Sequence, residues 1–364
     1  MRRILLVLLC AVFLATASAA VDVTQEQIDN FGIEGIDEGL SDTASGLLPE
    51  VSVTQPGDFG DGALTILQNA MPHASSALLS SLRVAVAMTA VVLLCAMVTQ
   101  MDSKFSKQAV VFAGVLAITL LSVSSLHAMT GLGSDTLQEL QTFTGLLLPV
   151  LASATVASGG LASSTAIYVG TVFVTNILIT LINRILLPMV YAFVALSAAG
   201  AVLENQTLKR LKDLTKWLIT NSLKLMVFLF TGYLSLSGVI AGVSDGAAVK
   251  AAKLAMSSMV PVVGGMISDA SETVLASAQI LKSAAGVFGM LAVLAICILP
   301  LIRLGVQFLI LKLTAAVSAT VGEKPLVDLI ESISDAMGFL MGATGACGFM
   351  LLISCVCSIK AVSI

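Results

Sequence analysis

Charge is what this chain of 364 residues has least of: Asp, Glu, Lys and Arg together make up 11% of it. A water-soluble globular protein of that length needs far more charge to cover its surface, so that class is excluded. Aromatic residues reach only 5%, with a single Trp, and there are two histidines. Neither His73 nor His127 has a second histidine one helical turn away, and no His/Cys/Asp/Glu group has metal-ligand spacing. Ser124 and Ser125 stand near His127 without a triad acid. No GxxxxGK[ST] or GxGxxG loop occurs, which leaves nucleotide binding by this chain unsupported. Six cysteines do not make a disulfide framework, because each lies in an apolar run: Cys10, Cys95, Cys297, Cys347, Cys355 and Cys357. Cysteine there acts as a small hydrophobe. The i,i+2 spacing of Cys355 and Cys357 also puts their sulfurs on different helix faces. The expectation is a non-enzyme without catalytic, cofactor or metal residues.

Apolar residues are what is present, at 57% of the chain, with a mean hydropathy of +1.02. They fall in long unbroken runs rather than the alternating segments of about 10 residues that build outer-membrane barrels. Abundant Gly, Ala and Ser suit close helix packing in lipid. The fold class is therefore all-α, a polytopic integral membrane protein with about 7–8 transmembrane helices and amphipathic surface helices. The stretch MRRILLVLLCAVFLATASAA has a basic start, an apolar run from Ile4 to Leu14 and a small-residue end at Ala17-Ser-Ala19. It reads as an export signal over residues 1–19; an uncleaved first span is the alternative.

Charge sorts along the chain. Residues 21–78 hold ten acids and no lysine or arginine, whereas 79–364 hold sixteen basic residues and twelve acids. The acidic segment 20–78 is expected outside the cytoplasm. Spans are drawn near 80–100, 109–128, 143–163, 165–182, 185–203, 218–242, 286–310 and 336–359, giving a membrane domain in two parts, 79–242 and 286–364. The connector 101–108, with Lys104 and Lys107, then falls inside. The connector 129–142, with Asp135 and Glu139, falls outside, and 204–217, with Lys209, Arg210, Lys212 and Lys216, falls inside. That distribution obeys the positive-inside rule. Leu208, Leu211 and Leu214 between those basic residues also fit a helix on an anionic inner surface, as an alternative to a purely topological role.

Polar residues inside apolar runs are costly and mark candidate sites. Asn183 and Arg184 sit at an expected turn, and Arg303 follows Pro300, which opens the local hydrogen-bond ladder. Arg83 and Lys224 fit snorkelling to an interface. Gly342, Gly345 and Gly348 recur every three residues, a spacing that permits close helix packing.

The segment 243–285 is expected as an extracytoplasmic helix–break–helix element. Lys250 and Lys253 lie in its first helix, Pro261, Gly264 and Gly265 form the break, and Asp269 and Glu272 have the D-x-x-E spacing of a capped helix start. These seven residues are the candidate partner-docking or structural positions.

The stretch Pro261-Val-Val-Gly-Gly-Met-Ile-Ser-Asp-Ala-Ser-Glu-Thr-Val closely resembles the stage III sporulation protein AE family of endospore-forming bacteria, and the likeness runs along the whole chain. Asn183-Arg184 and Lys250-x-x-Lys253 resemble family positions as well. The resemblance implies a subunit of a channel or feeding-tube complex in the mother cell's outer forespore membrane, as a membrane platform or export-gate-like component. It implies as partners the other membrane and ring proteins of the stage III sporulation A operon, an ATPase on the cytoplasmic side, and, indirectly, a forespore channel protein across the intermembrane space. Lipid surrounds the chain and no nucleic acid is expected. A permease-like transporter and a purely structural scaffold are the alternatives.

Overall fold

The computed structural model describes residues 39–48, 59–101, 107–157, 161–203, 205–259 and 264–360. The export-signal stretch, residues 20–38 and 49–58 of the acidic segment, and Pro261 lie outside the described residues. The elements are α1 (Asp42–Ser45), α2 (Phe59–Met101), α3 (Lys107–Ala157), α4 (Leu161–Leu181), a π-helical turn (Ile182–Leu186), α5 (Leu187–Leu203), α6 (Gln206–Met259), α7 (Gly264–Ser318) and α8 (Lys324–Lys360). No strand occurs among the described residues. Among the described residues, five stretches are long and apolar enough to cross a membrane: Phe59–Gln100, Lys107–Val156, Phe173–Leu203, Ser283–Ser318 and Lys324–Val356. The protein is thus an all-α multi-pass membrane protein.

Several segments that the sequence separates are joined in single helices. Residues 129–142, expected as a connector, are helical within α3. No proline interrupts them. Leu137 and Leu140 are buried, and the hydroxyls of Thr130 and Thr136 donate to carbonyls four residues back, at 2.7 Å each. The turn expected at Asn183-Arg184 is instead a π turn, in which the Leu187 N–H donates to the Ile182 carbonyl. Pro188 supplies the reason: it has no N–H to donate, and its ring would crowd the carbonyl four residues earlier, so a wider turn before it relieves the ladder. Residues 206–217, most of the expected connector 204–217, likewise share the one helix α6 with 218–242 and 245–256.

Residue contacts set the direction of each helix. In α2 and α3, the Cys95 thiol lies 3.8 Å from the Val110 carbonyl, so this pair runs antiparallel through a short connection. In α7 and α8, Lys312 meets Glu331 while Gly348 faces Cys297, which is again antiparallel. Lys216 meeting Asp335 and Gly342 facing Leu223 make α6 parallel to α8. Tyr191 near His127 and Asn176 bonded to Gln141 make the α4–α5 unit antiparallel to α3. The chain therefore runs up and down as a bundle. Its end nearest Lys107, Glu323 and Lys324 holds the starts of α3, α6 and α8.

The core follows from composition. Residues 284–299 of α7 are apolar on all sides, so they find no water-facing surface. In the structure Ala284, Ala285, Phe288, Leu291, Ala292 and Val293 are all buried, packed by α2, α3 and α8. The outer face is apolar too: Leu120, Phe228 and Leu309 are 75%, 73% and 64% exposed, which fits a lipid surround.

Candidate functional site

Polar side chains join the bundle at two levels. Nearer the lysine-rich end, Asp335 of α8 lies between two lysines, 2.5 Å from Lys216 of α6 and 3.1 Å from Lys312 of α7. Lys312 also reaches Glu331, one turn earlier on α8, at 2.7 Å. Helical spacing explains the arrangement: Glu331 and Asp335 are four apart and share one face. The Asp335 side chain is 15% exposed, so its charge depends on both lysines rather than on water. Four charges thus fix three helices in register.

Deeper in the bundle the crosslinks are neutral. Gln307 of α7 is 4% exposed. Its Oε1 accepts from the Ser81 hydroxyl of α2 at 2.5 Å, and its Nε2 donates to the Ser125 hydroxyl of α3 at 3.1 Å. One amide therefore satisfies both of its ends on two other helices. In a membrane such bonds remove polar groups from hydrocarbon, each contributing roughly 0.6 kcal/mol. Toward the far end Gln141 donates to Asn176, tying α3 to α4. Among the described residues no group of three His, Cys, Asp or Glu is placed to hold a metal ion.

The polar residues singled out from sequence take varied positions. Arg184 and Arg303 are exposed on the helix surfaces, as are Arg83 and Lys224. Asn183 is half-buried, and its Oδ1 is buried without a hydrogen-bond partner inside the π turn. The three glycines of α8 are not equivalent. A Cβ at Gly348 would stand 2.6 Å from the Cys297 Sγ, whereas at Gly342 and Gly345 it would meet Leu223 and Leu301 at an ordinary 3.5 Å.

Lys250 and Lys253 lie in α6, and Gly264, Gly265, Asp269 and Glu272 in α7, where the backbone alone is described. Because α7 begins at Gly264, Asp269 stands five residues inside the helix. The expected capping role of Asp269 and Glu272 is thereby corrected, since the orphan N–H groups of a helix are confined to its first turn. Residues 260–263, between Met259 and Gly264, lie outside the described residues.

Sequence reasoning missed both crosslinking groups. A lone Gln in the apolar run 286–310 was a visible signal for Gln307. The acids Glu331 and Asp335, one turn apart before the last apolar run, were another. Their partners were not visible, because Ser81 lies 226 residues from Gln307 and Lys216 lies 119 from Asp335.

Comparison with known proteins gives a coherent result. The family described as Stage III sporulation protein AE (spore_III_AE) matches residues 52–361. The Stage III sporulation protein AE of Bacillus subtilis (strain 168) is 26% identical over 239 residues, which cover 66% of this chain and 60% of that protein. The chain thus aligns to less than two thirds of the length of this relative. No solved structure matches.

Proposed function

Because the chain belongs to the stage III sporulation protein AE family, we propose that it is the membrane-embedded platform of a multi-protein sporulation complex in the mother-cell membrane. The observation that carries this reading is helix length. α6 and α7 have 54 and 55 residues, roughly 80 Å each at about 1.5 Å per residue. The hydrocarbon core is only about 30 Å thick. The pair is consecutive in sequence, with Met259 and Gly264 at its adjoining ends. Much of each helix is then free to extend past the membrane and meet a partner. The candidate docking positions Lys250, Lys253, Gly264, Gly265, Asp269 and Glu272 lie on that extension.

In this reading the chain performs no chemistry of its own. Its partners are the ring-forming and membrane subunits of the same complex, with an ATPase on the cytoplasmic side and an indirect link to a forespore channel protein. The polar crosslinks at Gln307 and Asp335 suit a platform, since they hold the helices in one register. The channel or feeding-tube role belongs to the assembled complex, and an export-gate-like part in it is compatible with the same bundle.

The test is affinity capture of the full chain from sporulating cells, beside solute flux through the purified chain in liposomes. The expected result is co-purification of membrane and ring subunits and no flux. Gly265→Leu, which places a bulky side chain beside the break, should reduce co-purification at least tenfold without removing the chain from the membrane. Substrate-dependent flux through the chain alone, with no partner retained, would overturn the platform reading in favour of a permease.

A further inference from the structure

The lysine-rich end of the bundle contains a cavity of about 350 Å³ between α5, α6 and α8. Its walls carry Lys209, Lys212 and Lys324 against a single acid, Asp328. The other lysines with described contacts at this end are matched: Lys107 pairs with Glu323, Lys216 with Asp335, and Lys312 with Glu331 and Asp335. Among the described residues, no carboxylate lies within salt-bridge distance of Lys209, Lys212 or Lys324. Among the described residues, three cations thus converge on one space with a single acid, Asp328, which lies beyond ion-pair distance of all three.

Two helix starts reinforce that positive potential. Gln206 opens α6, and Lys324 and Pro325 open α8, and all three residues line the cavity. The dipoles of helix starts favour anions, and here they act mainly through that potential, because the Thr207 N–H already donates to Asn205 Oδ1 and Pro325 has no N–H. The buried Ser197 adds a hydroxyl to the wall, and its hydrogen already goes to the Phe193 carbonyl at 2.7 Å. That leaves the serine oxygen as an acceptor for a hydroxyl-bearing ligand. The volume holds about a dozen groups the size of a water molecule. That matches a phosphate with a small polyol attached.

The flank of the cavity identifies the source of the phosphate. On the face of α6 turned away from the lysines, Leu211 is 43% exposed, Leu214 59%, and Trp217, the only tryptophan, 61%. Leu203, at the end of α5, is 64% exposed. Tryptophan concentrates at head-group depth in membranes. These exposed apolar side chains put this end of α6 at the membrane surface, where lipid head groups are at hand and a free phosphate must arrive from solution. We propose that the cavity lined by Lys209, Lys212 and Lys324 binds the phosphodiester head group of an anionic membrane lipid, whose chains leave past the exposed Leu203 at the end of α5. Basic pockets between membrane helices on the inner face are known to hold such head groups. The site is independent of the platform reading, because it involves neither the far ends of α6 and α7 nor any partner.

The experiment uses the purified full-length chain in a neutral detergent. Thermal unfolding is titrated with short-chain phosphatidylglycerol, phosphatidylcholine or inorganic phosphate, and native mass spectrometry counts retained lipid. Phosphatidylglycerol should raise Tm in a saturable way, and the other two should leave it unchanged at equal concentration. Each of Lys209→Gln, Lys212→Gln and Lys324→Gln should weaken the half-saturation point about fivefold, and the triple variant about 100-fold. Lys107→Gln, which removes a charge at the same end outside the cavity, should keep wild-type affinity. If the triple variant fails to fold, the three single variants decide. Wild-type lipid affinity in Lys212→Gln and Lys324→Gln, or equal weakening by Lys107→Gln, would overturn the site. An equal Tm rise with inorganic phosphate alone would overturn the lipid assignment in favour of a free phosphate ligand.

Discussion

The α6–α8 side and the α2–α3 side of the bundle solve one problem in different ways. Both must place polar side chains against α7. On the α6–α8 side, Lys216, Lys312, Glu331 and Asp335 do this with full charges, and their side chains keep 15–53% exposure. On the α2–α3 side, Gln307 does it with a neutral amide held by two serines, at 4% exposure. The difference is one of depth. A charge keeps a route to water or lipid head groups where it is partly exposed, while the interior admits only groups whose hydrogen bonds close locally.

Removing one partner should sharpen that contrast most strongly at Asp335. Asp335→Ala leaves Lys216 and Lys312 facing each other with only Glu331 to offset them. The expected loss is about 3 kcal/mol, near the lower end for a broken buried pair because the lysines are part-exposed. Chemical unfolding of the purified chain in mixed micelles measures it. A loss no larger than that of an exposed pair would mean that the charged side is held by packing alone.

The glycines of α8 give the next effect, and they separate steric from polar contributions. Gly348→Ala pushes a methyl group into the Cys297 sulfur and should cost about 1–3 kcal/mol. Gly342→Ala meets Leu223 at an ordinary distance and should be neutral, or stabilising by roughly 0.5–1 kcal/mol through helix propensity. The same unfolding assay applies to both. Equal effects at the two positions would contradict the close approach of α7 and α8 at Cys297.

A smaller change is expected at Gln307. Gln307→Leu removes both interhelical bonds, and the serine hydroxyls freed by it can turn to their own helix carbonyls, so the loss should be about 1 kcal/mol. Gln307→Glu buries a charge between two serines and should be clearly worse than Leu. If Glu were tolerated better, the neutral side would have to be wetter than its burial indicates.

Lys107→Gln should have the least effect. Its pair with Glu323 spans 3.0 Å, but the lysine side chain is 70% exposed, and such a pair contributes roughly 0–1 kcal/mol. A loss above about 1.5 kcal/mol would show that the α3 start depends on this pair more than an exposed ion pair allows.

Composition by itself determined the class of this protein, because burying an apolar excess of this size is a sum over residues that no particular arrangement can change. The positive residues of 101–108 and 204–217 pointed to one side of the membrane, and the start of α3 and the start of α6 do share one end of the bundle. The PVVGG…DASET stretch was specific enough to point to the family.

Tertiary structure decided what local pattern leaves open. A polar stretch such as 129–142 reads as a loop until Leu137 and Leu140 find a core to face, and then it continues a helix. Whether a lysine is a counterion or a ligand depended on which acid the fold brought to it. Lys216 found Asp335 across 119 residues, while Lys209, Lys212 and Lys324 were gathered around a cavity with only Asp328 among them. Pairings between distant residues depend on helix register, and register is settled only when whole faces pack together.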